Sequence, residues 1–177
     1  MQSISTIGLD LGKRVFQVHG VDEQGRVVVE KKIQPSEALV WFGRLGRPCL
    51  VGIESCATSN YWARELRKLG HAVKLIPPAY VKPYVRRQKN DRADAAAICE
   101  AVSRPSMRFV ALKTPDQQAA QVLHRCRELL IRQRTQLINA LRAHLAEFGW
   151  VFPQGNPGVL RAMALVPFAA DQPGICI

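Results

Sequence analysis

The chain has 177 residues, a formal net charge of +11 and a sequence pI near 10.0. Because 47% of its residues are hydrophobic and only 22% are charged, the composition excludes an acidic or disordered solvating chain. It has no apolar run of 18 residues and no basic-then-apolar leader after Met1, so we expect a soluble, cytoplasmic protein with no membrane partner.

The first third of the chain predicts three short strands joined by tight turns, at residues 4–11, 14–21 and 25–33. Strands connected in this way form an antiparallel meander. A helix is expected over residues 35–43, followed by a fully apolar strand over residues 48–54.

The next segment predicts a strand–helix–strand crossover. A helix over residues 58–69 is followed by a strand over residues 71–77, so the strands before and after this helix should be parallel neighbours. Together with the meander, this crossover predicts an α/β fold with a mixed sheet and flanking helices. Residues 78–90 are basic and contain two prolines, which indicates a loop or short helix, and an alanine-rich helix is expected over residues 91–102.

A much longer helix is expected over residues 114–148. Thr114-Pro115-Asp116-Gln117 has the pattern of a helix start, and apolar residues then recur every three or four positions. A helix of this length overhangs a small domain, so pairing with a partner helix is favoured over packing on its own domain. From residue 151 the chain is rich in proline and glycine, with a short helix expected over 159–166.

The positive charge is concentrated in one part of the chain. Residues 55–115 contain twelve basic side chains and only four acidic ones. A solvated surface is the simplest interpretation, but such a concentration favours a polyanion such as DNA or RNA. The candidate nucleic-acid-binding residues are Lys13, Arg64, Lys82, Arg86, Arg87, Lys89 and Arg92.

Four carboxylates lie among apolar or basic neighbours. Asp10 and Glu54 end two predicted strands, and Asp91 and Asp94 lie three residues apart at the start of a predicted helix. Helix capping explains the last two separately. Carboxylates at the ends of central strands repel one another, however, and a divalent cation would neutralise them; oxygen ligands suit Mg²⁺ or Mn²⁺. Two such ions can activate the attacking oxygen and stabilise the leaving oxygen of a phosphodiester.

Three motifs in the chain resemble the DEDD transposases of insertion sequences, the group related to the Piv DNA invertase. They are Ile7-Gly8-Leu9-Asp10-Leu11-Gly12-Lys13, Gly52-Ile53-Glu54 followed by Asn60-Tyr61-Trp62-Ala63-Arg64-Glu65-Leu66, and Lys89-Asn90-Asp91-Arg92-Ala93-Asp94-Ala95. The resemblance implies a ribonuclease-H-like fold related to the RuvC Holliday-junction resolvase. It also implies that Asp10, Glu54, Asp91 and Asp94 are the catalytic and metal-binding tetrad.

The resemblance implies further partners and a domain order. It implies a RuvC-like domain followed by a coiled-coil segment, which we place at residues 1–112 and 113–150, with the start of a C-terminal region over 151–177. The apolar pattern of residues 114–148 leads us to expect a homo-oligomer through this helix. Some members of the family use a structured guide RNA. The family also carries a C-terminal domain with a nucleophilic serine, and the resemblance fades after residue 166, so we expect the N-terminal portion of a transposase that is incomplete by itself.

Two other functions remain open from the sequence. A stand-alone RuvC-like nuclease would use the same carboxylates to activate water. A catalytically incomplete module would bind nucleic acid and oligomerise through the long helix. The Gly-Leu-Asp-Leu-Gly start also occurs in sugar-kinase or actin-like ATPases, but no second glycine-rich phosphate loop follows it.

Overall fold

The computed structural model of the protein describes residues 3–84 and 91–169, apart from the side chains of residues 91, 156 and 165–169. The chain divides into two compact units, Met1–Thr114 and Pro115–Ile177.

The first unit is built on a five-stranded mixed sheet. Its strands are β1 (Thr6–Leu11), β2 (Phe16–Val21), β3 (Val27–Ile33), β4 (Leu50–Glu54) and β5 (Ala72–Ile76). Their order across the sheet is β3-β2-β1-β4-β5. The first three strands pair antiparallel, whereas β4 pairs parallel to both β1 and β5.

The turn between β2 and β3 shows how local sequence sets the meander. Asp22 Oδ1 accepts hydrogen bonds from the backbone N–H groups of Gln24 and Arg26, at 3.0 and 2.9 Å. Gly25 has a φ of 76°, a conformation that glycine adopts without strain. These contacts reverse the chain within four residues.

Helices cover both faces of the sheet. They are α1 (Pro35–Gly43), α2 (Ser59–Lys68), α3 (Pro78–Val81) and α4 (Asp91–Val102), with a 3₁₀ turn at Lys82–Tyr84. On one face, α1 and α2 contribute the fully buried Phe42 and Leu66 to the main core. The ring of Phe16 in β2 packs edge-on against the ring of Trp62 in α2, with 4.9 Å between the ring centroids. Helix α4 covers the other face and contributes the fully buried Ile98 to a second core.

The second unit contains α5 (Pro115–Glu147) and α6 (Asn156–Ala169). Arg142 of α5 donates two hydrogen bonds to the carbonyl of Phe152, at 3.2 and 3.0 Å, and this contact anchors the chain that leads into α6. No residue of α5 is buried among those that the structure describes. None of the described helices is both long and apolar enough to cross a membrane.

The predicted α/β architecture is confirmed, with its mixed sheet, its flanking helices and the long helix that follows. The last helix differs from its prediction, because α6 begins at Asn156 rather than at residue 159. Pro157 is compatible with a first helical turn, where its missing N–H has no partner to lose, so the Pro- and Gly-rich segment enters the helix earlier than its composition indicates. Within the basic segment at 78–90, the described residues form α3 and the 3₁₀ turn; residues 85–90 lie outside the description.

Candidate active site at the carboxyl edge of the sheet

Two of the four candidate carboxylates lie beside each other at one edge of the sheet. Leu9 of β1 pairs with Ile53 of the parallel strand β4, so the next residues along the two strands are Asp10 and Glu54. Both residues are half-buried. Because the carboxyl ends of parallel neighbours meet at the same edge, strand pairing alone brings these two positions together.

The contacts of two glycines show which face of the sheet carries the two carboxylates. A Cβ on Gly8 would meet the carbonyl oxygen of Ala95 at 2.0 Å, and a Cβ on Gly52 would meet Val102 Cβ at 2.7 Å. Helix α4 therefore lies directly on β1 and β4 at the points where these strands have no side chain. Alternation along a strand puts Asp10 on the same face as Gly8, and Glu54 on the same face as Gly52.

The direction of α4 brings its first turn toward the two carboxylates. Ala95 lies over Gly8, and four residues later the Cys99 thiol lies 3.8 Å from the carbonyl oxygen of Thr6. The helix therefore runs antiparallel to β1, and its beginning points toward the end of the strand that carries Asp10.

Helical periodicity relates each acidic position of α4 to one strand. Asp91 lies one turn before Ala95, which covers β1, and Asp94 lies one turn before Ile98, which is 3.1 Å from the Cβ position of Gly52 on β4. Asp94 is half-buried, and the side chain of Asp91 is outside the description. Among the described side chains, no three His, Cys, Asp or Glu residues form a group that could hold a metal ion. The structure thus brings together Asp10 and Glu54 and directs the first turn of α4 toward them.

A residue that sequence reasoning missed lies next to Asp10. Gln17 of β2 is the antiparallel partner of Asp10, and Lys32 of β3 is the partner of Gln17. Gln17 is only 6% exposed, whereas Lys32 is exposed. Alternation of apolar and polar residues in β2 was the available signal, but only the pairing register shows that Gln17 neighbours a candidate catalytic carboxylate.

The predicted basic residues are distributed differently from the carboxylates. Lys13 is exposed in the turn after β1, three residues from Asp10, and Lys82 is exposed at the start of the 3₁₀ turn. Arg86, Arg87 and Lys89 lie outside the described residues.

The other two predicted basic residues make contacts within the first unit. Arg64 Nη1 donates a hydrogen bond to the carbonyl of Lys113 at 2.8 Å, which ties α2 to the segment before Thr114. Arg92, in the first turn of α4, forms an ion pair with Glu30 of β3. The Oε1 atom of Glu30 also accepts a hydrogen bond from Nδ1 of His19 at 2.9 Å. The hydrogen bond from Arg92 lowers the pKa of the Glu30 carboxyl, against the opposing effect of partial burial.

Comparison with known proteins identifies the group to which this chain is related. A family model of DEDD transposases of the IS110 type, described as a transposase, matches residues 7–149. The chain belongs to the DEDD transposase family of insertion sequences.

Curated relatives of this chain support the same family. It is 53% identical over 149 residues to the "Probable family 20 transposase" of Pseudomonas aeruginosa, covering 84% of this chain and 44% of that protein. It is 43% identical over 173 residues to the transposase for insertion sequence element IS1328 of Yersinia enterocolitica, covering 98% of this chain and 51% of that protein. The chain therefore spans about half the length of the relatives it matches.

A solved structure of RuvC from T. thermophilus, in complex with a Holliday junction substrate, also matches. Its TM-score is 0.38 at 15% identity, and the match covers 55% of this chain and 90% of that chain.

Proposed function

We propose that this chain is the N-terminal portion of an insertion-sequence transposase that acts on DNA phosphodiesters, with Asp10, Glu54, Asp91 and Asp94 as a tetrad that binds Mg²⁺ or Mn²⁺. One observation carries the proposal: the carboxyl ends of β1 and β4 lie side by side beneath helix α4, whose first turn runs toward them. Membership of the transposase family agrees with this chemistry.

The donor atoms fit the proposed cation. Asp10 and Glu54 offer carboxylate oxygens from adjacent strands, and hard oxygen ligands are those that Mg²⁺ and Mn²⁺ prefer. Two half-buried carboxylates on neighbouring strands repel each other, and a cation between them removes that repulsion. A bound divalent ion supplies electrostatic activation of the attacking oxygen and stabilisation of the leaving oxygen.

The protein side chains have separate roles in this proposal. Asp10 and Glu54 are fixed by strand pairing, so they set the position of the ion. Asp91 and Asp94 come from the first turn of α4, and the ion pair of the intervening Arg92 with Glu30 helps to hold that turn on the sheet. Arg92 thus helps to position the first turn of α4. Its side chain is 69% exposed, so a phosphate can also approach the guanidinium.

We propose DNA as the main partner, with a structured guide RNA as a second one. The net charge of +11 favours a polyanion, and Lys13 is exposed three residues after Asp10, where it can contact a backbone phosphate near the tetrad. Arg64 has a lesser part in this interface, since its guanidinium already holds the Lys113 carbonyl.

We assign no nucleophilic serine within the described site. Ser59 is fully buried; its hydroxyl donates to the carbonyl of Cys56 at 2.9 Å and accepts from the backbone N–H of Cys56 at 3.1 Å. This pattern is that of a residue that stabilises the start of α2. The nucleophilic serine that the family resemblance implies would then come from the part of the relatives that this chain does not span.

We also propose that α5 assembles copies of the chain. Leu123, Leu130 and Leu137 are spaced by seven residues and are 72%, 64% and 71% exposed. A seven-residue apolar repeat is the pattern by which helices pair in coiled coils, and a second copy supplies the same repeat in return.

Calorimetric titration with MnCl₂ tests the proposed metal site. Wild type should bind Mn²⁺, and Asp10→Asn or Glu54→Gln should each weaken binding at least tenfold, because each removes a charged ligand. Asp116→Asn, which removes an exposed carboxylate at the start of α5, is the matched control and should leave the titration unchanged. Identical titrations for all four proteins would contradict the proposal.

A gel shift with element-end DNA and flanking RNA, followed by a Mg²⁺-dependent cleavage assay, separates the functions. Binding without cleavage by the chain alone supports an N-terminal transposase portion that needs further residues. Cleavage by the chain alone, abolished in Asp10→Asn, would instead favour an autonomous nuclease.

A further inference from the structure

The amide of Gln17 lies on the same face of the sheet as Asp10. The two residues are antiparallel partners, and the next pair on that face is Gly8 with His19. Paired residues of antiparallel strands direct their side chains to the same face, with Cβ atoms about 5 Å apart. Since Gly8 faces α4, Gln17 extends into the space between the sheet and α4, beside Asp10.

The side chain of Gln17 is buried, but its amide oxygen Oε1 has no hydrogen-bond partner among the described residues. Gln17 is 6% exposed. The large majority of buried side-chain polar atoms in native proteins have a hydrogen-bond partner, and leaving one unpaired destabilises the fold. This oxygen therefore indicates a group that binds there.

The neighbouring side chains on the sheet do not supply that partner. His19, two residues along β2, is engaged by Glu30 at 2.9 Å. Lys32, opposite Gln17 on β3, extends into solvent. The β1 partner of Gln17 is Asp10, whose carboxylate is an acceptor like Oε1 and cannot donate to it in its ionised form.

A hydrated cation at Asp10 satisfies the requirement of Gln17. An amide oxygen accepts only from a proton donor or a cation, and a phosphate oxygen is neither. Mg²⁺ commonly keeps several of its water molecules when one or two carboxylates bind it, and each water presents two donors. A water bridge also suits two side chains that start about 5 Å apart.

We propose that Gln17 is a positioning residue of the metal site: its Oε1 accepts a hydrogen bond from a water of the cation bound at Asp10. This inference rests on the proposed function, because it requires the cation. It adds a neutral acceptor from β2 to the carboxylates of β1, β4 and α4.

Replacement of Gln17 by two residues of similar size tests the inference. In Gln17→Met, which has no hydrogen-bonding amide, the Kd for Mn²⁺ should rise about tenfold, as is typical when a partner of a bound ligand is lost. The thermal midpoint without metal should stay the same or rise, because the unpaired oxygen is gone. In Gln17→Glu, which keeps an acceptor, Mn²⁺ affinity should equal or exceed that of wild type. Gln133→Met, on the exposed surface of α5, is the control for the substitution itself.

The outcomes separate this inference from the proposed function. If wild type binds Mn²⁺, Asp10→Asn binds it weakly and Gln17→Met binds it as wild type does, the role of Gln17 is wrong and the tetrad stands. A loss of affinity in Gln17→Met with an equal loss of thermal stability would make Gln17 a structural residue. A tenfold loss in Gln17→Glu would also overturn the inference, since it would mean that Nε2 acts as a donor. No binding by wild type would overturn both proposals.

Discussion

The two units of this chain differ in how far they bury their apolar residues. In the first unit, Ile7, Leu9 and Ile53 are completely buried between the sheet and the helices. In the second, α5 extends for 33 residues with no buried residue among those described, and Leu123 and Leu137 are more than 70% exposed. The contrast indicates that the first unit has a packed core of its own, whereas the apolar repeat of α5 is left exposed, and we propose that a partner helix covers it.

The close approach of α4 to the sheet gives the strongest test of the first unit. Gly8→Ala should lower the free energy of unfolding by about 3 kcal/mol or more, because the new Cβ would lie 2.0 Å from the Ala95 carbonyl oxygen. This oxygen belongs to the backbone of α4, so it cannot move aside as the end of a flexible side chain can. Urea unfolding followed by circular dichroism measures this. Gly43→Ala in α1, where nothing lies within 4 Å of the new atom, should be neutral or stabilising. Equal effects of the two substitutions would contradict the packing of α4.

A matched pair of leucines compares the two units directly. Leu66→Ala removes a completely buried side chain and should cost about 3 kcal/mol, from lost burial and from the cavity that remains. Leu137→Ala removes one that is 71% exposed and should change the unfolding of the first unit by less than about 0.5 kcal/mol. If Leu137→Ala destabilises the first unit as much as Leu66→Ala does, the units are not stabilised independently.

The proposed assembly through α5 tests the second unit. Leu130→Asp combined with Leu137→Asp places two charges in the apolar repeat and should convert the oligomer to a monomer in light scattering. Arg132→Asp with Gln136→Asp, at exposed positions outside the repeat, serves as the control and should keep the wild-type mass. A monomeric wild type would contradict assembly by this helix.

Acid should affect the first unit more than the second. His71 is buried; its Nδ1 accepts from the Cys49 backbone N–H at 3.3 Å, and its Nε2 lies 3.3 Å from the Phe42 carbonyl. Burial lowers the pKa of His71 below its ordinary value of 6.5, so the folded state favours the neutral ring. This contribution is complete above pH 6.5 and is lost as pH falls through 6.5 toward the lower folded value. His124 and His144 of α5 are exposed.

Urea titrations at pH 7.5 and pH 5.5 measure this difference. Wild type should lose stability at the lower pH, and His71→Phe, which has no titrating ring, should lose less. An equal loss in both proteins would mean that other groups govern the acid response.

The ion pair between β3 and α4 should have the smallest effect. Glu30→Gln should lower the free energy of unfolding by about 0.5 kcal/mol at pH 7, because Arg92 is largely exposed and solvent weakens the pair. The hydrogen bond from Arg92 lowers the pKa of Glu30 below its ordinary value of 4.5, so the contribution is complete above pH 4.5 and is lost as pH falls from 4.5 through the lower folded value. A difference between wild type and Glu30→Gln that does not shrink as pH falls below 4.5 would contradict this assignment.

Local patterns were sufficient to predict the elements of the first unit. The apolar run that ends at Glu54, the following amphipathic helix and the next short apolar strand predict a parallel crossover, and β4 and β5 are parallel neighbours. The predicted bounds of α4, residues 91–102, agree with the structure because an acidic start and an alanine-rich interior are strong local signals.

Properties that depend on register and on distant contacts were not predictable from the sequence. Gln17 neighbours Asp10 only because of the pairing of β1 with β2, and a shift of one residue would turn it to the opposite face. Arg64 is a plausible phosphate ligand by type, yet a residue 49 positions away, Lys113, occupies one of its donors. Such contacts depend on the assembled fold and leave no periodic pattern in the chain.

The central claim is that carboxylates from β1, β4 and α4 share a divalent cation at the edge of the sheet. Anomalous diffraction from crystals of the full chain soaked in MnCl₂, measured above the manganese absorption edge, locates that ion directly. The account predicts a peak about 2 Å from carboxylate oxygens of Asp10 and of at least one further member of the tetrad. A saturating soak that gives no peak at this edge of the sheet, or that gives peaks only at other positions on the chain, would contradict it.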